Sequence, residues 1–141
     1  GLVVGGDSMF EIDGRVYGKP HTPEAATARW HAMRGKTGVL HSGHWVIRVD
    51  DSGELTAAGE VAASTVSFIA DITDEEIAAY VATGEPLKVA GAFTIDSLGG
   101  PFIERIEGDP STVVGMSLPT LRRLAGELGV GWPRLWNRND L

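Results

Sequence analysis

The sequence has no cysteine among its 141 residues, which excludes both a disulfide framework and a thiolate metal site. It has no apolar run long enough to span a bilayer. Its opening residues show no basic stretch followed by an apolar core, so nothing in them reads as a secretory signal. A reducing, cytoplasmic setting without membrane association is the resulting expectation. Positive charge is scarce as well: 12 Lys and Arg against 19 Asp and Glu leave a net charge of −7. That balance speaks against a broad surface for the phosphate backbone of DNA or RNA, so no nucleic-acid partner is expected. A small phosphorylated ligand is not excluded, because it needs only a few focused cations and usually a divalent metal. Internal repeats, heptads and low-complexity segments are missing too.

What is present suits one globular domain: 43% of residues are hydrophobic and 22% charged. The length falls in the usual range for a single domain. Glycine is abundant, with 19 residues, and clusters at Gly5-Gly6 and Gly99-Gly100, where close backbone approach is expected.

Leu2-Val3-Val4 reads as a buried strand running into Gly5-Gly6-Asp7-Ser8. It begins without a cap or turn, and residues N-terminal to it are expected to belong to the natural protein. Asp13-Gly14, between Phe10/Ile12 and Val16/Tyr17, has the chemistry of a tight hairpin turn. Thr22-Pro23-Glu24 predicts a helix start, and that helix should carry Ala26, Trp30 and Met33 on one side and stop near Gly35. Alternation of Val39, Trp45, Ile47 and Val49 predicts a strand to Val49, with a turn at Asp50-Asp51-Ser52-Gly53. A second strand region should end at Val66-Ser67-Phe68. Thr73 and Glu76 form a capping box, with Ile72 and Ile77 at the staple positions, and the helix should bury Ile77, Tyr80 and Val81. Residues 102–106 read as a strand. A last helix over Leu118 to Leu128 should place Leu118, Leu121, Leu124 and Leu128 on one stripe. The order of elements predicts an α/β domain with a mixed sheet and flanking helices, containing both parallel and antiparallel pairs.

Asp7, at the end of an apolar strand, is a candidate ligand-facing carboxylate, although a turn-capping aspartate would look the same. Lys19 lies between Gly18 and Pro20 and, by itself, equally fits a solvated surface lysine. His41 and His44 are spaced H-x-x-H, which on a strand puts them on opposite faces and suits a shared metal poorly. The Gly-rich 97–101 segment lacks a Walker A lysine and hydroxyl. Trp132 and Trp136, with Arg134 and Arg138, allow base stacking, but a tail packing its tryptophans on the body is the favoured reading. No G-x-S-x-G elbow is present, which argues against a serine hydrolase.

Read in order, short blocks of the chain resemble the Maf family of nucleotide pyrophosphatases. Gly6-Asp7-Ser8 is similar to the family's G-x-D-[ST], Gly18-Lys19-Pro20 to its G-K-P, and Ser42-Gly43 to a T-G pair. Ser64-Thr65-Val66-Ser67-Phe68, Glu76-Ile77-Ala78-Ala79-Tyr80 and Gly84-Glu85-Pro86 resemble T-E-V-x-F, E-I-x-x-Y and G-E-P. Ala90-Gly91-Ala92-Phe93, Ile106-Glu107-Gly108-Asp109 and Val113-Val114-Gly115-Met116 follow like A-G-A-Y, I-x-G-D and V-x-G-L.

The resemblance implies two lobes around a cleft and cleavage between the α- and β-phosphates of a nucleoside triphosphate, giving a monophosphate and pyrophosphate. It also implies dependence on a divalent cation, Mg²⁺ or Mn²⁺. On that basis Asp7 is the general base or metal holder, Lys19 a phosphate-neutralising cation, and Ser8 a neighbour of the base pocket. Lys88 and Asp96 are further substrate-binding candidates. Lys88 is displaced by one position from the family's D-K, and Asp96 stands where the family has the glutamine of G-I-Q-G. The family's S-x-R-R loop lies upstream of G-x-D. The chain is therefore expected to be one Maf-like domain over 1–141 that lacks the N-terminal strand and this loop. A nucleotide-binding regulator of septum formation is the alternative function, and the resemblance leaves room for a homodimer.

Overall fold

The computed structural model describes residues 1–136 of the chain. Arg138, one of the tail arginines, lies outside the described residues. The first strand, β1 (Leu2–Ile12), turns at Asp13-Gly14 into the short β2 (Arg15–Tyr17). Both turn residues have positive φ, 53° and 75°, which is the backbone a two-residue hairpin needs. Helix α1 (Pro23–Met33) starts where expected, with Thr22 Oγ1 accepting the Ala25 N–H and Ala26, Trp30 and Met33 buried. Strands β3 (Thr37–Val49) and β4 (Leu55–Phe68) form a long hairpin, closed by the Asp50 carboxylate accepting N–H bonds from Ser52 and Glu54. Helix α2 (Asp74–Ala82) has the complete capping box of Thr73 and Glu76, and both staple residues, Ile72 and Ile77, are buried. Strand β5 (Ile103–Glu107), the short helix α3 (Pro110–Val114) and helix α4 (Leu118–Glu127) follow.

The strands form one sheet in the order β2-β1-β3-β4-β5. The α/β class and the flanking helices are as the sequence predicts. Parallel pairs were also expected, yet every pairing among the described strands is antiparallel. The reason lies in the connections. Two of the four pairings are tight hairpins, and α1 and α2 return the chain to the sheet reversed rather than as parallel crossovers.

Successive side chains of a strand alternate between faces. The helices cover the face that carries Phe10 and Ile12 of β1 and Leu40, Ser42, His44 and Val46 of β3. The alternation read at Val39, Trp45 and Ile47 is real, but those residues belong to the other face, where Trp45 is 53% and Val61 66% exposed. Two clusters share the covered face. The larger gathers Phe10, Trp30, Phe68, Tyr80 and Phe93 around α1 and α2. The smaller joins Val46 to Leu121 and Leu124 of α4, with Trp132 packed beside them. Polar Ser42 and His44 lie between the two clusters along β3.

The α4 stripe is shorter than expected. Leu121 and Leu124 are buried, whereas Leu118 is 55% exposed because it occupies the first position after the Ser117 cap, turned from the sheet. Trp132 packs on the body, while Trp136 is 54% exposed.

Candidate active site

Strand β1 pairs with β3 along Leu2–Glu11, but β2 reaches only Phe10–Ile12. A cavity of about 540 Å³ lies against Gly6–Met9. Its other walls are Gly18, Lys19 and His21 from the β2–α1 connection, Val89, Ala90 and Phe93 from the segment after α2, and the Val113–Gly115 end of α3.

Asp7 is exposed, and its Oδ1 accepts the N–H of Ser8 at 2.9 Å. It does not stand at a strand end as the sequence suggested. It sits in the middle of β1 opposite Gly43, because the register with β3 continues unbroken past it. The glycine before it is a fitting one. A Cβ on Gly6 would come within 2.9 Å of the Gly43 carbonyl oxygen, so close strand approach is bought by the missing side chain.

Lys19 is exposed on a connection fixed at both sides. The Arg29 guanidinium donates to the Gly18 carbonyl at 2.5 Å and lies over the Tyr17 ring, 4.6 Å from its centroid. On the far side, Pro20 is buried, and the N–H of His21 donates to the Leu87 carbonyl at 3.0 Å. His21 has a left-handed φ of 65°, a conformation of higher energy for a residue with a side chain. Nothing local in the sequence marks this residue, because its backbone partner Leu87 lies 66 positions further along the chain and is brought to it by the fold's return after α2.

Ser8 also lines the cavity, and its Oγ lies 2.5 Å from the Oγ of Ser42. Asp7, Ser8 and Lys19 therefore line one cavity, although Asp7 and Lys19 were each ambiguous by position.

The sequence model of the family described as "Maf-like protein" matches residues 1–128. The chain belongs to the Maf family. It is 64% identical over 138 residues to a protein of Leifsonia xyli subsp. xyli named "Nucleoside triphosphate pyrophosphatase", covering 98% of this chain and 64% of the relative. Relatives of the same name from Salinispora tropica and Nocardia farcinica are 58% and 54% identical, with 97% and 96% of this chain and 59% and 63% of their own lengths covered. The chain thus spans somewhat less than two thirds of the length of these relatives.

The two other Maf candidates lie apart from the cavity wall. Lys88 is exposed at the end of the 3-10 turn Glu85–Lys88, and it is the next residues, Val89 and Ala90, that line the cavity. Asp96 is exposed in the loop after Phe93 and does not line the cavity. That loop is anchored by Glu85, whose carboxylate accepts from Tyr80 OH (3.1 Å), Thr94 Oγ1, Ser97 Oγ (3.2 Å) and the Leu98 N–H (3.3 Å). Burial alone would raise the pKa of Glu85, but these donors outweigh it and hold the carboxyl below its usual range. Burial pushes the Tyr80 hydroxyl up to about 12, so it remains a donor at any ordinary pH.

His41 and His44 point to opposite faces, as their spacing requires. His41 meets Glu11 at 3.3 Å on one side, and buried His44 accepts the Ser117 N–H at 2.8 Å on the other. Among the described residues no three His, Asp or Glu side chains converge on a metal position. Asp7 is the carboxylate the Maf cavity offers. One carboxylate fits a Mg²⁺-like ion that keeps several waters and shares the phosphates of its ligand, rather than an all-protein cage. Among the described residues no helix is long and apolar enough to cross a membrane.

Proposed function

We propose that this chain carries the Asp7–Lys19 part of a nucleoside triphosphate pyrophosphatase site, acting in the cytoplasm and releasing a nucleoside monophosphate and pyrophosphate. The observation that carries the reading is that Asp7, Ser8 and Lys19 all line one cavity in a Maf-family chain. The names of its relatives support the same activity.

In this reading water attacks the α-phosphorus. A new P–O bond forms, the bond from that phosphorus to the oxygen bridging toward the β-phosphorus breaks, and pyrophosphate leaves with the bond electrons. Asp7 accepts the proton of the attacking water, or holds the divalent cation at the phosphates. A bound Mg²⁺ or Mn²⁺ would supply charge neutralisation and a more acidic water. Lys19 offsets the charge that grows on the departing pyrophosphate. Its placement between the Arg29-clamped Gly18 and buried Pro20 limits the freedom of its backbone, so less ordering is left for binding. Lys88, next to the cavity-lining Val89, and Asp96 are kept as further substrate-binding candidates outside the cavity wall. No S-x-R-R occurs among the 141 residues, so the further phosphate contacts expected of that loop are not assigned to this chain.

The test is a panel of ordinary and modified nucleoside triphosphates incubated with the protein and Mg²⁺ or Mn²⁺, with pyrophosphate detected. Release from at least one nucleotide is expected. Binding without any release would instead favour the nucleotide-binding regulator.

A further inference from the structure

The chain has four histidines, and three of them are engaged. His31 faces Asp74 at 3.6 Å, His41 faces Glu11 at 3.3 Å, and His44 accepts the Ser117 N–H at 2.8 Å. Among the described residues the His21 side chain alone of the four has no hydrogen bond, ion pair or ring contact. It nonetheless lines the cavity, two positions after Lys19, which is equally without a carboxylate partner among the described residues. Pro20 between them is buried while both neighbours are exposed, so the two side chains leave the connection on its open side.

The backbone gives an independent sign. The N–H of Thr22 donates to the Pro20 carbonyl at 2.8 Å, which closes a three-residue turn centred on His21. With a φ of 65° at its centre, the turn is of the rare and strained hand, where glycine is the least costly residue. Such strain persists only when the surroundings enforce it, as the His21 N–H on Leu87 and the buried Pro20 do here, and it gathers at ligand clamps. A glycine would serve the turn better, so the turn itself does not account for the imidazole.

We propose that His21 is an anion-binding residue that, together with Lys19, holds the pyrophosphate end of the ligand against the β2–α1 connection. The identity of the anion rests on the nucleotide reading above; the clamp itself rests on the two unpaired side chains. An ammonium and an imidazole N–H both donate to phosphate oxygens, and such charge-assisted bonds are stronger than neutral ones. On the β1 wall the Asp7 carboxylate repels an anion unless a cation stands between them. Apart from Asp7 and Ser8, the other side chains lining the cavity are apolar. The connection is therefore the wall that phosphate oxygens favour, and His21 adds a second donor to it beside Lys19.

The experiment measures the dissociation constant of pyrophosphate with Mg²⁺ by titration calorimetry, beside the thermal midpoint of each variant without ligand. His21→Gly removes the imidazole and gives the turn the residue that best tolerates positive φ. His21→Asn keeps a residue accepted in that conformation but without a ring that can carry charge. Both variants should keep the wild-type midpoint within about 4 °C, since neither breaks a side-chain contact. Both should bind pyrophosphate about tenfold more weakly, the scale of one lost charge-assisted bond. Affinity within about twofold of wild type in both variants would overturn the proposal, as would a wild-type protein that does not bind pyrophosphate. A loss of affinity seen only in a variant whose midpoint falls would mark His21 as a structural residue and would overturn it too. The same proteins are assayed for pyrophosphate release from nucleoside triphosphates. If the wild type releases none while both variants still weaken pyrophosphate binding, the nucleotide reading fails and the clamp stands.

Discussion

Replacing Trp30 by Phe should destabilise the fold by about 2–4 kcal/mol. Trp30 is 1% exposed, and its Nε1–H donates to the Ala92 carbonyl at 2.7 Å. Its ring meets Phe68, Tyr80 and Phe102 edge-on at centroid distances of 5.4, 5.5 and 5.7 Å. Phe keeps a six-membered ring, so part of the aromatic contact survives. The indole N–H does not, and losing it leaves a buried carbonyl without this donor, at about 1–3 kcal/mol. The smaller ring also opens a void, adding roughly 1 kcal/mol or more. The carbonyl concerned belongs to a strained place, because Gly91 and Ala92 have φ of 77° and 64° in succession. That turn sits between Ala90 and Phe93, both on the cavity wall. Urea unfolding followed by far-UV circular dichroism gives the stability change, and nucleotide affinity well below the unfolding midpoint reports the wall. Loss of less than about 0.5 kcal/mol, within the range of an ordinary surface change, would refute the part given to Trp30 as a buried donor to the Ala92 carbonyl.

Three further outcomes follow from single features. Thr73→Ala removes the hydroxyl that accepts the Glu76 N–H at 3.1 Å and should cost about 1 kcal/mol by urea unfolding, whereas an unchanged midpoint would deny the cap its contribution. Glu85 has a folded pKa below its ordinary value, so its stabilisation is fully present above the unfolded pKa of about 4.3 and is lost as pH falls through the folded value. The thermal midpoint gap between wild type and Glu85→Gln should therefore narrow below pH of about 4.3, and a gap equally wide at neutral and strongly acid pH would contradict the assignment. Lys19→Ala should lower pyrophosphate release about tenfold or more, and a wild-type rate in this variant would remove Lys19 from the phosphate site.

Local chemistry was legible where a few adjacent residues decide the structure. Thr22-Pro23, Thr73 with Glu76, and Asp13-Gly14 each announce an element boundary that the fold keeps. The face of β3 was harder to assign. Its apolar odd positions, Trp45 and Ile47, look like core, whereas the covered even positions include Ser42 and His44. Those polar residues are tolerated there because α3, α4 and β1 supply partners: the Gly115 carbonyl, the Ser117 N–H and the Ser8 hydroxyl. None of these pairings follows from spacing along the chain. The same holds for the site. Asp7, Ser8 and Lys19 were nominated by their likeness to Maf motifs, and the cavity they share depends on the β1–β3 register and on the clamp from Arg29. His21 escaped notice, and Val113–Gly115 was marked only as a Maf-like block and not as a cavity wall, because nothing local reveals a role set by the return of a distant segment.

The most direct test of the central claim is pyrophosphate release by the wild-type protein and by Asp7→Asn, measured on the same nucleotide at saturating Mg²⁺. Asparagine keeps the size of the side chain and an oxygen able to accept the Ser8 N–H now held at 2.9 Å, so the strand should remain intact by circular dichroism. It cannot take a proton from water or offer a full negative charge to a cation. The rate should fall by about a hundredfold or more, the scale of a lost general base. A folded Asp7→Asn protein that releases pyrophosphate at the wild-type rate would contradict the account.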